Sequence, residues 1–115
     1  MPKTTLSHRT ASDILETRTT SNPYRFVVVG QIVDVDGYLE AHRKAMTKWF
    51  RGRPDAADAL ADSMAREQKV AAADLSWRVQ SWHHSREAAE KAARALWNRL
   101  PFHTFGVEQI NGGAA

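Results

Sequence analysis

The chain has 115 residues, which is enough for one core and too few for a two-domain enzyme. With 43% hydrophobic, 9% aromatic and 25% charged residues it falls in the globular range, away from disordered, collagen-like and membrane compositions. The absence of cysteine excludes a disulfide framework, a thiolate nucleophile, an iron–sulfur cluster and a Cys-based zinc site, while a net charge of +3 leaves an anionic partner open.

Residues 1–22, crowded with Ser and Thr and poor in periodic apolar residues, read as a flexible arm. Within it, Ser12 is placed to cap a short turn that docks Leu15 on the body. Asn22-Pro23 punctuates the chain, and a single domain is expected over 23–110. Tyr24 to Val33 is the clearest strand, rich in β-branched and aromatic residues. Phe26, Val28 and Ile32 fall on one side of it and Val27, Val29 and Val33 on the other, so the strand needs cover on both faces.

Asp34 or Asp36 caps a helix that runs to about Phe50, with Leu39, His42, Met46, Trp49 and Phe50 on its inward face. Asp55 then starts an alanine-rich helix to about Ala72, with Ala57, Leu60, Ala61, Met64 and Ala71 as the buried stripe. Asp74 to Trp82 returns to alternation, setting Trp82 opposite to Leu75, Trp77 and Val79. Ser85 is a natural cap for a helix over Arg86–Asn98, whose Ala89, Ala92, Ala93, Leu96 and Leu100 form an apolar line ended by Pro101. Thr104 to Ile110 is the last strand, and residues 111–115 read as a disordered tail.

The order β-α-α-β-α-β predicts an α+β two-layer sandwich: a small three-stranded sheet with three helices on one face. Its other face would then leave an apolar patch in water, so a homo-oligomer, a dimer or higher, is expected to cover it.

Three groups of residues can carry a function. Trp82-His83-His84-Ser85-Arg86 hands a strand over to a helix N-terminus, where free N–H groups and the positive dipole end favour an anion. The competing reading is an ordinary cap beside two exposed histidines. Arg18, Tyr24 and Arg25 gather near the entry to the first long strand, where a loop arginine can close over a bound anion. Tyr24 and Arg25 alternate there, so only one of them shares a face with a given ligand. Arg43, Lys44, Lys48, Arg51 and Arg53 place five cations and no acid in eleven positions. With Trp49 and Phe50 they can grip a nucleic acid, although a solvated helix face with both aromatics turned inward accounts for the same pattern. The neighbouring acidic helix also opposes a duplex. No catalytic motif is present: no P-loop, no Gly-x-Gly-x-x-Gly, no His-Glu-x-x-His and no nucleophile elbow. The expectation is a protein without enzymatic activity, cofactor or metal. No apolar run approaches the ~18–20 residues of a membrane span, and the first ten residues lack a signal-like stretch, so the cytoplasm is the expected location.

Tyr24-x-Phe-Val-Val-Val, then Ser81-Trp82-His-x-Ser85-Arg86-x-x-Ala-x-x-Ala, then Val107-Glu-Gln-Ile resembles small phage-encoded anti-defence sponge proteins of the Thoeris-inhibiting kind. The likeness covers residues 24–33 and 76–110, at the level of pattern, and the helices between Asp36 and Ala73 have no counterpart in it. It implies a non-enzymatic oligomer, in the cytoplasm of the phage's host, that sequesters cyclic ADP-ribose-type immune signals or cyclic oligonucleotides. It also implies ligand contacts around Ser85, Arg86 and the start of the first long strand. Two other functions fit the same residues: an inhibitor module docking on a host or phage enzyme, and a nucleic-acid binder working through residues 43–53.

Overall fold

Seven consecutive residues, Phe26–Ile32, form the central strand, and a computed structural model describing residues 2–112 shows what flanks it. In chain order the elements are β1 (Thr4–Arg9), β2 (Leu15–Thr20), β3 (Phe26–Ile32), α1 (Val35–Trp49), α2 (Ala56–Ala73), β4 (Arg78–His83), α3 (Arg86–Arg99) and β5 (His103–Gln109). The expected α+β class and element order hold for β3 onward. β3 lies between β4 and β5, antiparallel to both, with a register shift against β4 between Val28 and Val29.

The inner core lies on one face of this sheet. Val28 and Phe105 bury against Ala89 and Ala93 of α3, flanked by Phe26, Leu96, Leu100 and Val107. Small residues on α3 let its axis approach the strands, and the alanine line read from the sequence is the line that packs. Ser85 caps α3 in extended geometry, its hydroxyl accepting from the Ala88 N–H at 3.1 Å. Ser85→Ala is therefore expected to lower stability by about 1 kcal/mol, read as a shift of the denaturant midpoint at constant slope.

The second face is covered within the same chain, which corrects the expectation of a loose arm. Residues 4–20 form an antiparallel hairpin, β1 with β2, that lies over the side of the sheet carrying Val27 and Val29. Opposite Val27 stands Glu108 of β5, and its carboxylate accepts from Nε2 of His8 at 2.8 Å. His8 is fully buried and its Nδ1 accepts the Asn111 N–H at 3.3 Å, which fixes the proton on Nε2. Glu16 bonds the Val79 N–H and pairs with Arg78, while Ser12 accepts from the Trp77 N–H at 2.8 Å. Ser12 thus serves β4 rather than a turn of its own, and Leu15 points to water.

With this hairpin in place Val27 is 0% and Val29 3% exposed. The apolar face that called for a homo-oligomer is occupied, so that particular argument for association falls. Asn111 and Gly112 are paired as well: Ser7 bridges Gly112 in both directions at 3.1 Å, and the Asn111 side chain holds the Arg9 backbone. The expected tail over 111–115 therefore starts in a bonded segment, and its residues 113–115 lie outside the described ones.

The three helices do not share one face, which corrects the layering expected from the sequence. α3 runs along the sheet against all three strands, whereas α1 and α2 pack chiefly on each other. This pair projects from one end of the sheet, where Ile32 bonds Asp74 and Val33 bonds Phe102 through the backbone. The radius of gyration is 17.5 Å with extents of 55 × 25 × 25 Å, against about 13 Å for a compact chain near this length. Asp34 caps α1 through the Gly37 N–H at 2.9 Å. No residue of α1 is buried, and of the alanines expected inside α2 only Ala71 is buried, Ala57 and Ala61 facing water.

Candidate functional site

The strand-to-helix handover after β4 meets the β2–β3 connection at one corner of the body. Tyr24 and His84 lie 4.8 Å apart, ring centre to ring centre, at a 44° tilt. The Arg18 guanidinium covers the Tyr24 ring at 5.1 Å, and Asn22 donates to the Tyr24 hydroxyl at 3.3 Å. On the α3 side Arg86 lies over Phe26 at 5.1 Å. The structure so gathers Arg18 and His84 around the Tyr24 ring, with Arg86 and Ser85 at the head of α3. Arg25 is exposed, and its backbone pairs with His83 and Ile110, closing the corner from below.

This corner carries positive charge that no carboxylate takes up. Arg9, Arg43, Arg53 and Arg78 are paired with Asp13, Glu40, Asp55 and Glu16. Among the described residues no carboxylate pairs with Arg18, Arg25 or Arg86. Both stacked guanidiniums keep their in-plane N–H forks free to meet phosphate or carboxylate oxygens edge-on.

Two of the residues singled out from the sequence play other parts. Trp82 stands opposite Val27, on the hairpin-covered face, and packs there half-buried. His83 turns to the α3 face and bonds Ser81 Oγ at 2.6 Å. Burial, followed by the neighbouring His84, holds the His83 pKa below its ordinary 6.5, so this ring is neutral at pH 7 and brings no charge to an anion. The Ser85 hydroxyl is already engaged by Ala88.

Comparison of the chain with protein-family models, curated proteins and solved structures yields no match.

The basic stretch divides along similar lines. Arg43 and Arg53 are paired as above, leaving Lys44, Lys48 and Arg51 beside Trp49. That tryptophan is 76% exposed, which corrects the inward reading of the residue, while Phe50 is half-buried under Arg53.

A polar cluster that went unremarked in the sequence sits where the helical pair joins the body. A cavity of about 280 Å³ opens there between α1 and the Leu100–His103 segment, walled by Tyr38, Ala41, His42, Pro101, Phe102 and His103. Tyr38 donates its hydroxyl to Glu67, and His42 bonds Ser63 Oγ at 2.9 Å. Burial first, then Glu67 and Asp74, push the Tyr38 phenol up to about 12. His103 stacks on Phe105 and meets Tyr38 edge-on at 5.7 Å. The signal was present as spacing: 38 and 42 share a face of α1, 63 and 67 share a face of α2, and antiparallel pairing matches 38 with 67 and 42 with 63. Among the described residues no group of three or more His, Asp or Glu converges as a metal ion requires. Among the described residues no helix is long and apolar enough to cross a membrane.

Proposed function

We propose that the protein is a non-enzymatic binder of a small anionic ligand that carries an aromatic ring, of the nucleotide class, which it sequesters at the corner formed by Arg18, Tyr24, His84 and Arg86. The observation that carries this reading is the pair of unpaired arginines, Arg18 over the Tyr24 ring and Arg86, the first residue of α3, over the Phe26 ring two positions further along the chain. A phosphate placed there meets two guanidinium edges and the N–H groups of the first turn of α3, while a base stacks beside Tyr24 and His84. The corner supplies charge and stacking surface, not a nucleophile with its base, which fits capture better than turnover. The likeness of residues 24–33 and 76–110 to phage sponge proteins selects cyclic ADP-ribose-type signals in the host cytoplasm as the first ligands to try.

The test is a thermal-shift panel of cyclic ADP-ribose isomers, cyclic di- and trinucleotides, mononucleotides and inorganic phosphate. A ligand at a hundred times its Kd stabilises the native chain by roughly 2.7 kcal/mol. Arg18→Ala and Arg86→Ala are each expected to remove that shift while leaving the unliganded melting point in place. A flat panel, or a shift that survives both substitutions, refutes the corner and leaves a protein partner as the reading to pursue.

A further inference from the structure

We propose that two copies of this chain join edge to edge through β5, antiparallel about Gly106, so that their sheets run on into one. The two edges of the three-stranded sheet end differently. At β4 the edge is closed: Glu16 takes the Val79 N–H, Ser12 takes the Trp77 N–H, and the register against β3 shifts beside Val29. β5 has no such guard. Its pairing with β3 is regular over Phe26–Ile32, and it contains neither proline nor lysine. Its one carboxylate, Glu108, is tied to His8 of the hairpin. Sheets blunt an open edge with bulges, covers, charges or proline, and an edge without them is a ready surface for a further strand.

The outward groups of β5 follow from its bonds to β3. Val33 donates to the Phe102 carbonyl and Ile110 to that of Arg25. Alternation therefore turns the backbone of Thr104, Gly106 and Glu108 toward β3 and leaves that of Phe105, Val107 and Gln109 facing out. Among the described residues no other backbone group meets them there. Donors and acceptors repeated in this way are matched by another extended backbone, and β5 is complementary to itself. Gly106 is the midpoint of His103–Gln109, so a twofold axis there uses the whole strand. It matches Phe105 with the partner's Val107 and Val107 with the partner's Phe105, each match exchanging both N–H···O bonds. The Gln109 N–H then reaches the carbonyl of the partner's His103. An aromatic ring against a β-branched residue is a favourable cross-strand pair, and Glu108 falls opposite the partner's Thr104 rather than a second carboxylate. On the α3 side a groove of about 290 Å³ lies along this edge, its lining including Ala93, Trp97, Phe105 and Val107. Trp97, 48% exposed and edge-on to Phe105, gains the partner's Val107 as cover.

Sedimentation equilibrium of the full chain is expected to give twice 12.9 kDa. In that dimer the amide protons of Phe105 and Val107, free in a single chain, should be protected from exchange and should lose that protection on dilution. Thr104→Glu sets like charge against the partner's Glu108 and is expected to raise the dimer Kd about tenfold, whereas Thr104→Lys should leave it unchanged or lower it. Positions 104 and 108 lie about 13 Å apart along one strand, so this dependence on sign does not arise within a single chain. Gln109→Pro removes an outward N–H and no bond to β3, and should weaken the dimer as well. A chain that stays at 12.9 kDa through the micromolar range overturns the proposal. So does a dimer whose Phe105 and Val107 amides exchange freely, or one that both Thr104→Glu and Gln109→Pro leave intact. A monomer that gains the same protection only on adding an unrelated extended peptide would likewise overturn it, assigning this edge to another protein.

Discussion

A chain lacking residues 2–22 is expected to lose cooperative unfolding and to associate irreversibly. The hairpin lies over Val27 and Val29, which are 0% and 3% exposed beneath it. Burying a valine is worth roughly 1.5–3 kcal/mol, so the two together amount to several kcal/mol before Leu6 is counted. The His8–Glu108 and Glu16–Val79 bonds go with them. A domain of this size holds about 5–15 kcal/mol in all, and removing the hairpin takes a large part of it. It also uncovers an apolar sheet face of the kind that aggregates. Urea denaturation followed by circular dichroism, with light scattering on the same samples, checks this. A truncated chain that unfolds cooperatively within about 1 kcal/mol of the full one, a margin ordinary surface changes seldom exceed, would show that the sheet is covered in some other way.

Phe105→Ala is expected to cost about 3–5 kcal/mol, the usual range for emptying an aromatic site in a core. The ring touches more than the apolar cluster under α3. It stacks on His103, meets Trp97 edge-on, and lies across the strand from Gly30, where a Cβ would come within 2.6 Å of it. Gly30 is therefore required for space. Gly30→Ala alone forces the ring to move and should cost about 1–3 kcal/mol. Combined with Phe105→Leu, which withdraws the clashing edge, the two losses should sum to less than their separate values. Strict additivity of the pair would mean that Gly30 serves something other than this ring.

How far the fold could be read in advance depended on whether a surface was written in apolar residues. β3 announces itself through Phe26, Val27, Val28 and Val29, and α3 through its alanines and leucines, because both bury hydrocarbon. The hairpin gave no such signal. Its inward positions, Leu6, His8, Thr10, Glu16 and Thr20, are mostly polar, and two of them, His8 and Glu16, are satisfied by bonds to β5 and β4 that only tertiary structure supplies. Alternation was present in the residues, but hydropathy does not register it. α1 and α2 illustrate a different gap. A stripe such as Leu39, His42 and Met46 says that a helix has a partner without saying which, and here the partner is the next helix rather than the sheet. At the corner, Tyr24, His84 and Arg86 were legible as residue types suited to an anion. The half-burial of Trp82 could not be foreseen without the hairpin.

The Ser7–Gly112 bridge joins residues more than a hundred positions apart, and the other anchors of the hairpin lie between Trp77 and Asn111. During synthesis, then, the first β-hairpin leaves the ribosome with nothing to dock on until β5 and the residues after it have followed. α1 and α2, by contrast, need only each other and can pair as soon as both are out. Non-local pairing of this kind is paid late in entropy and slows folding. For most of the chain's translation the valines of β3 stand uncovered on one side, and that interval, rather than the finished molecule, is when this protein is most exposed to misassembly.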